Sequence, residues 1–268
     1  MKSKKTLVLF LILCFLTVLI IIGSVLFSVK TIVGYCYNDN DEDLVRRVVD
    51  ASSSKLSEGT NIFLVRENEI IERIESEIPN VKVVNIERKF PSSVYINFYK
   101  IEEYFVVEHE GVNLYVSNDC KILRSTDAPS AEKRIKLLIP DAPASTVPGD
   151  TLFAPQSQLY TVTSELMGAL SRLESYQNMM EIIASVDVRF LERNVLFVKT
   201  VAGVCIEVQQ PETDILTKMQ LAVSFINDAD FDHKSKGTVI VSGSGGKVAG
   251  SYTEEDRYSE FLQNGALF

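Results

Sequence analysis

The feature that most constrains this 268-residue chain is an uncharged apolar run near its N-terminus. The run covers residues 6–29 and exceeds the roughly 20 residues that a helix needs to cross a bilayer, so it predicts a transmembrane helix. A cleaved signal peptide is the alternative, but its apolar region would be only about 7–15 residues long. By the positive-inside rule, the three lysines before the run predict a short cytoplasmic segment, residues 1–5, and export of the remainder; they are Lys2, Lys4 and Lys5.

Residues 30–100 have the pattern of a compact α+β module. The segment "KTIVGYCY" predicts a strand, and the acidic run "NDNDED" then predicts the start of a helix. A second amphipathic helix carries Ile70, Ile74 and Ile78 on one face and ends before Pro79. Two further strands, "VKVVNIERKF" and "SSVYINFYK", flank Pro91, which cannot donate to a ladder and therefore belongs in their connection. The predicted order is strand, helix, helix, strand, strand.

Residues 101–252 predict a second, strand-rich β domain with flanking helices. Strands turn at Gly111, a proline-rich stretch follows, and helical stripes begin near Leu159 and Ile215. "MEIIASVDVRF", "NVLFVKTV" and "GVCIEVQ" predict strands, and the segments on either side of "GSGG" predict a terminal hairpin. Residues 253–268 have little periodicity and predict a tail, with an alternative role as a docking face; that face would contain Phe261, Leu262, Leu267 and Phe268.

The sequence predicts no catalytic, cofactor-binding or metal-binding residues. His109 and His233 are the only imidazoles, and neither lies in an HExxH or comparable motif. "SGSGGKV" fails the phosphate-loop pattern because valine stands where a glycine and a serine or threonine are required. The cysteines beyond the apolar run have no CxxC spacing and predict isolated buried thiols, with one disulfide between two of them in an oxidising compartment as the alternative; they are Cys36, Cys120 and Cys205. A net charge of -9 argues against nucleic acid as a partner.

The last strand of the β domain predicts a binding surface. A strand at a sheet edge presents unpaired main-chain groups on which a strand from another chain pairs. The alternatives are that the tail covers this edge, or that the strand is simply the last strand of a stable sheet. The candidate partner-binding residues are Lys247, Val248, Ala249, Gly250, Ser251 and Tyr252.

Several motifs resemble the bacterial cell-division family FtsQ/DivIB. They are "GTNIF", "IPNVKVVNIERKFPSSVYINF", "VPGDTLF" and "TVIVSGSGGKVAGSY". The resemblance implies a POTRA domain over residues 30–100, followed by a β domain over residues 101–252. It also implies a location in the cell membrane at the septum.

The same resemblance implies a scaffold without enzymatic activity. Such a scaffold would bind FtsL-like and FtsB/DivIC-like single-span proteins and help to regulate septal peptidoglycan synthesis. It would pair the strand from Lys247 to Tyr252 with the FtsB/DivIC-like partner, with Tyr252 as an aromatic anchor. Two alternatives remain: a membrane-anchored cell-wall enzyme would need a catalytic set, and a POTRA-bearing protein-translocation factor would need repeated modules.

Overall fold

The computed structural model describes residues 2–128, 133–173, 176–228 and 235–265. The chain divides into two compact units, Met1–Ile101 and Glu102–Phe268. Each unit has its own hydrophobic core and its own sheet, so the α+β organisation expected from the sequence is what the structure shows.

The N-terminal apolar run lies largely within helix α1, Lys2–Leu26. Within the described ranges, no helix is both long enough and apolar enough to cross a bilayer. The transmembrane helix predicted over residues 6–29 is therefore wrong. The helix ends at Leu26, and Ser28 already forms a bridge to Asn61.

The first unit packs two helices against one face of a three-stranded sheet. Strand β1 is Thr31–Cys36, helices α2 and α3 are Glu42–Ser52 and Glu67–Glu77, and strands β2 and β3 are Val81–Lys89 and Ser93–Lys100. The sheet order is β1-β3-β2, with β1 parallel and β2 antiparallel to β3.

Local sequence explains why these elements form. The Asp41 carboxylate caps α2 by accepting a hydrogen bond from the Leu44 amide at 3.1 Å, as the acidic run predicts. Ile70 and Ile74 are fully buried on one face of α3. Pro91 lies in the connection between β2 and β3, after a cis peptide bond with Phe90, and the strands pair from Lys89 and Ser93 outward. The predicted hairpin around Pro91 is confirmed.

The second unit contains a nine-stranded sheet in the order β12-β11-β10-β9-β8-β7-β4-β5-β6. Its strands are β4 Phe105–His109, β5 Val112–Val116, β6 Ile122–Thr126, β7 Ile135–Leu138, β8 Ile183–Asp187, β9 Val195–Thr200, β10 Cys205–Gln209, β11 Thr238–Ser244 and β12 Lys247–Thr253. Its helices are α4 Gln158–Leu173, α5 Tyr176–Ile182, α6 Ile215–Asn227 and α7 Arg257–Gly265. The strand predicted from "MEIIASVDVRF" is only partly correct, because its first residues belong to α5.

Helices lie on both faces of this sheet. The main core includes inward side chains of α4 and α6 together with alternate residues of the strands, such as Ile206, Val208, Val239 and Val241. A second, smaller cluster lies on the opposite face, where α7 covers Phe197 and Cys205. The main core therefore lies on the face of the sheet that α4 and α6 cover, and it extends to the edge formed by β12.

Candidate partner-binding edge

Strand β12 is the last strand at one edge of the nine-stranded sheet. It pairs antiparallel with β11 along its whole length, from Ser244↔Lys247 at the turn to Thr238↔Thr253 at the base. Gly245 and Gly246 make the turn with φ of 62° and 78°. Positive φ at both central residues is the geometry of a tight two-residue hairpin, which glycine adopts without steric cost. The predicted hairpin around "GSGG" and its position at an edge are confirmed.

The alternation of the ladder determines which main-chain groups face outward. In a two-residue hairpin the residues flanking the turn form a hydrogen-bonded pair, here Ser244 and Lys247, and the next pair does not. Repeating this alternation along β12 directs the N–H and C=O groups of Val248, Gly250 and Tyr252 away from β11. These three residues therefore offer the hydrogen bonds that an added strand would use.

The side chains of the same three residues point towards α6 and the main core. Gly250 lies directly under α6, and a Cβ atom there would approach Phe225 Cε2 to 2.7 Å and Leu221 Cδ2 to 3.2 Å. Glycine is therefore required at this position for α6 to lie close to the edge strand.

Tyr252 has a structural role within the unit. Its hydroxyl donates to the Lys236 carbonyl at 3.2 Å, and its ring packs against the main core. The ring also covers Gly237, where a Cβ atom would lie 2.6 Å from the Tyr252 hydroxyl oxygen. The side chain proposed as an aromatic anchor for a partner is thus half-buried in its own fold, and the Tyr252 main chain is the part that faces the edge.

The remaining candidate residues lie on the opposite face of the sheet. Lys247, Ala249 and Ser251 are exposed and alternate with the three residues that face α6. A strand that pairs with β12 would therefore meet an apolar side next to α6 and a polar, cationic side next to Lys247.

Helix α7 packs against β10, which lies two strands away from the β12 edge. The Arg257 guanidinium donates to the fully buried Glu207 carboxylate, with Nη2 at 3.1 Å from Oε1. The Tyr258 hydroxyl donates to Asp187 at 3.0 Å, and the Phe261 ring lies 5.1 Å from the Phe197 ring. The described part of the C-terminal segment thus packs on the face of the sheet; Leu267 and Phe268 lie outside the described residues.

The β11–β12 hairpin is held at both of its ends. At its base, the fully buried Thr238 hydroxyl donates to the Glu255 carbonyl at 2.9 Å and accepts from the Arg257 amide at 3.3 Å. At its tip, the Gly246 amide donates to the Asp214 carboxylate at 3.2 Å, just before α6. These contacts fix the hairpin to the elements on both faces of the sheet.

The cysteines beyond α1, which are Cys36, Cys120 and Cys205, are buried free thiols. Burial raises the pKa of both the Cys120 and Cys205 thiols to about 12, which keeps them protonated at neutral pH. In the described part of the chain, no group of histidine, cysteine and carboxylate side chains has the arrangement of a metal site. His109 is half-exposed at the end of β4, and His233 lies outside the described residues.

Sequence reasoning missed the ion pairs beneath α7. Glu207 and Asp187 occupy strand positions that alternation alone does not identify as buried. Arg257, the partner of Glu207, lies far from it in the chain, while Asp187 pairs with the neighbouring Arg189. The signal available was the pairing of a lone acidic residue inside the apolar segment "VCIEV" with a basic residue in the C-terminal segment.

Comparison with protein families identifies one domain of the chain. A family model described as a POTRA domain of the FtsQ type matches residues 47–104. The match covers the second half of α2 and the whole of α3, β2 and β3 in the first unit. No curated protein sequence matches the chain.

Proposed function

We propose that this chain is a member of the FtsQ/DivIB family of cell-division proteins and a scaffold of the division machinery that acts without enzymatic activity; the FtsQ-type POTRA match over residues 47–104 supports this proposal. The POTRA match supports a role in division at the septum and in protein–protein interaction. We assign the POTRA domain to residues 30–100, the β domain to residues 101–252 and the tail to residues 253–268.

We further propose that β12 is the surface that binds the partner. The observation that carries it is the edge position of β12, with the main chain of Val248, Gly250 and Tyr252 directed outward. The partner is an FtsB/DivIC-like protein, which adds one strand to the sheet. An FtsL-like protein joins the same complex, and the assembled complex regulates septal peptidoglycan synthesis.

Imaging in the bacterium that carries the gene tests the role in division. A fluorescent protein is fused to the N-terminus of the full chain, and the native chain is depleted in parallel cultures. The proposal predicts a band at midcell and filamentous cells on depletion. Uniform fluorescence together with normal division would show that the POTRA domain serves another process.

A binding assay tests the strand-addition proposal. The Val248→Pro substitution removes an amide that faces outward and leaves the β11 ladder bonds in place, so affinity for the FtsB/DivIC-like partner should fall at least tenfold. The matched control is Ala249→Ser, which alters an exposed side chain and leaves every main-chain donor in place. Equal affinity of the proline variant and wild type, with hydrogen exchange unchanged in β11, would refute strand addition at this edge.

An activity assay tests the absence of catalysis. The full chain is incubated with purified peptidoglycan, and the soluble products are measured against a buffer control. Release of muropeptides that increases with protein concentration would support the cell-wall enzyme instead.

A further inference from the structure

The nine-stranded sheet has an internal opening between β4 and β7. These parallel neighbours pair only at Phe105↔Ile135 and Val106↔Lys136, although β4 continues to His109 and β7 to Leu138. A cavity of about 210 Å³ lies next to the unpaired halves and is lined by both strands. The opening therefore divides the sheet beyond the last paired residues.

Main-chain groups of both strands face this opening. The β4–β5 hairpin turns at Glu110 and Gly111, so His109 and Val112 form its hydrogen-bonded closing pair, and Glu108 directs its N–H and C=O towards β7. On β7, the Leu138 carbonyl accepts from the Val188 amide at 3.0 Å, on the β8 side.

The preceding residue of β7 must then bond on the opposite side, because successive residues of a strand bond alternate neighbours. The Leu137 carbonyl therefore faces β4, as the Glu108 amide faces β7. Both groups lie beyond the last pair of the β4–β7 ladder. Two adjacent strand edges inside one sheet thus present a donor and an acceptor to the same cavity.

The side chains around the opening differ between its floor and its rim. Val107 and Leu137 are buried and belong to the main core beneath it. Lys136 is exposed at the rim on the β7 side, while Glu108 stands on the β4 side. Arg189 also lines the cavity and is held by Asp187 at 2.6 Å.

We propose that this opening receives an extended peptide segment of another protein, which bonds to the main chain of Glu108 and Leu137 and places a carboxylate beside Lys136. Main-chain donors and acceptors along two strand edges select an extended backbone. The exposed ammonium of Lys136 selects an acidic side chain. This site is separate from the β12 edge.

Hydrogen exchange of the full chain, with the peptide acetyl-Val-Glu-Val-Glu-Val-amide as the probe, tests the proposal. The probe should slow amide exchange at least threefold in the fragments that contain Glu108 and Leu137. The Lys136→Glu variant should lose this slowing. The Lys133→Glu variant makes the same charge change at an exposed lysine that does not line the cavity, and it should behave as wild type.

Three results would overturn the proposal. They are no slowing in β4 and β7, equal slowing in Lys136→Glu, and equal slowing by the cationic peptide acetyl-Val-Lys-Val-Lys-Val-amide. In the first of these results, slowing confined to β11 and β12 would mean that the probe binds the outer edge instead. Exchange in β9 and β10 reports whether each variant is folded, and Lys136→Gln replaces Lys136→Glu where the charge reversal disturbs them.

Discussion

Replacing Arg257 by alanine is expected to release α7 from the sheet. Arg257 donates to Glu207, whose side chain is fully buried and also accepts from the Gln209 amide group at 2.7 Å. The substitution leaves that carboxylate buried without its cationic partner. A buried charge deprived of its partner is strongly destabilising, whereas most surface substitutions change stability by less than about 0.5 kcal/mol.

The size of the effect follows from the burial of the pair. Breaking a buried ion pair costs about 3–5 kcal/mol, and the lower end applies here because the Arg257 side chain is 29% exposed and water partly screens it. Since about 1.4 kcal/mol is a tenfold change in an equilibrium constant, the detached state of α7 should become roughly 100-fold more populated.

Hydrogen exchange with mass spectrometry measures this opening in the full chain, in fragments covering α7 and β10. Arg172→Ala, at an exposed arginine of α4, is the matched control and should leave both fragments unchanged. The double variant Arg257→Ala with Glu207→Gln should recover part of the loss, because a neutral amide is less costly to bury than a carboxylate. Wild-type protection of α7 in Arg257→Ala, or a double variant no better than the single one, would refute the ion-pair argument.

Three further predictions concern other contacts. Gly250→Ala should speed exchange in α6 and β12, because its Cβ would meet Phe225 at 2.7 Å, and unchanged exchange would contradict this packing. Ile74→Ala should destabilise the first unit by about 2–5 kcal/mol in denaturant titrations monitored by hydrogen exchange. Ile71 is half-buried, so Ile71→Ala should destabilise the unit less, and equal losses of stability would contradict the assigned helix face. Burial raises the pKa of Tyr258 from 10.0 to about 12. Its contribution to α7 docking should therefore be complete below pH 10 and be lost as the pH rises through 12. The Tyr258→Phe substitution should abolish that pH-dependent step. A step that persists in the phenylalanine variant would assign it to another group.

The first unit was largely predictable because its signals are local. Pro91 cannot join a ladder and therefore marked the connection of the β2–β3 hairpin, and the isoleucine spacing marked the buried face of α3. The apolar run at the N-terminus shows the limit of composition, since its composition does not reveal the point at which the chain leaves the helix and Ser28 pairs with Asn61. Similarly, the apolar segment that begins at Met180 fits a helix or a strand, and the structure divides it between α5 and β8.

The candidate site was predictable in position and less so in detail. The glycine-rich turn and the final position of β12 indicated an edge strand, but the direction of each side chain depends on the layers that cover the sheet. Tyr252 therefore could not be recognised as a residue that packs under its own helix layer. Helix α7 depends on Tyr258 and Phe261 meeting Phe197, a long-range contact that no local period reveals.

The anchoring of the β11–β12 hairpin has a consequence for the speed and strength of recognition. Thr238 holds its base and Asp214 holds its tip, so the edge keeps its extended shape before any partner arrives. Ordering a flexible loop on binding reduces the affinity that contacts alone would give, and a preorganised surface avoids that loss. When a partner binds β12, the entropy that is lost on ordering therefore comes mainly from the incoming segment. A partner whose segment is already extended in the free state should bind more tightly than one whose segment is flexible.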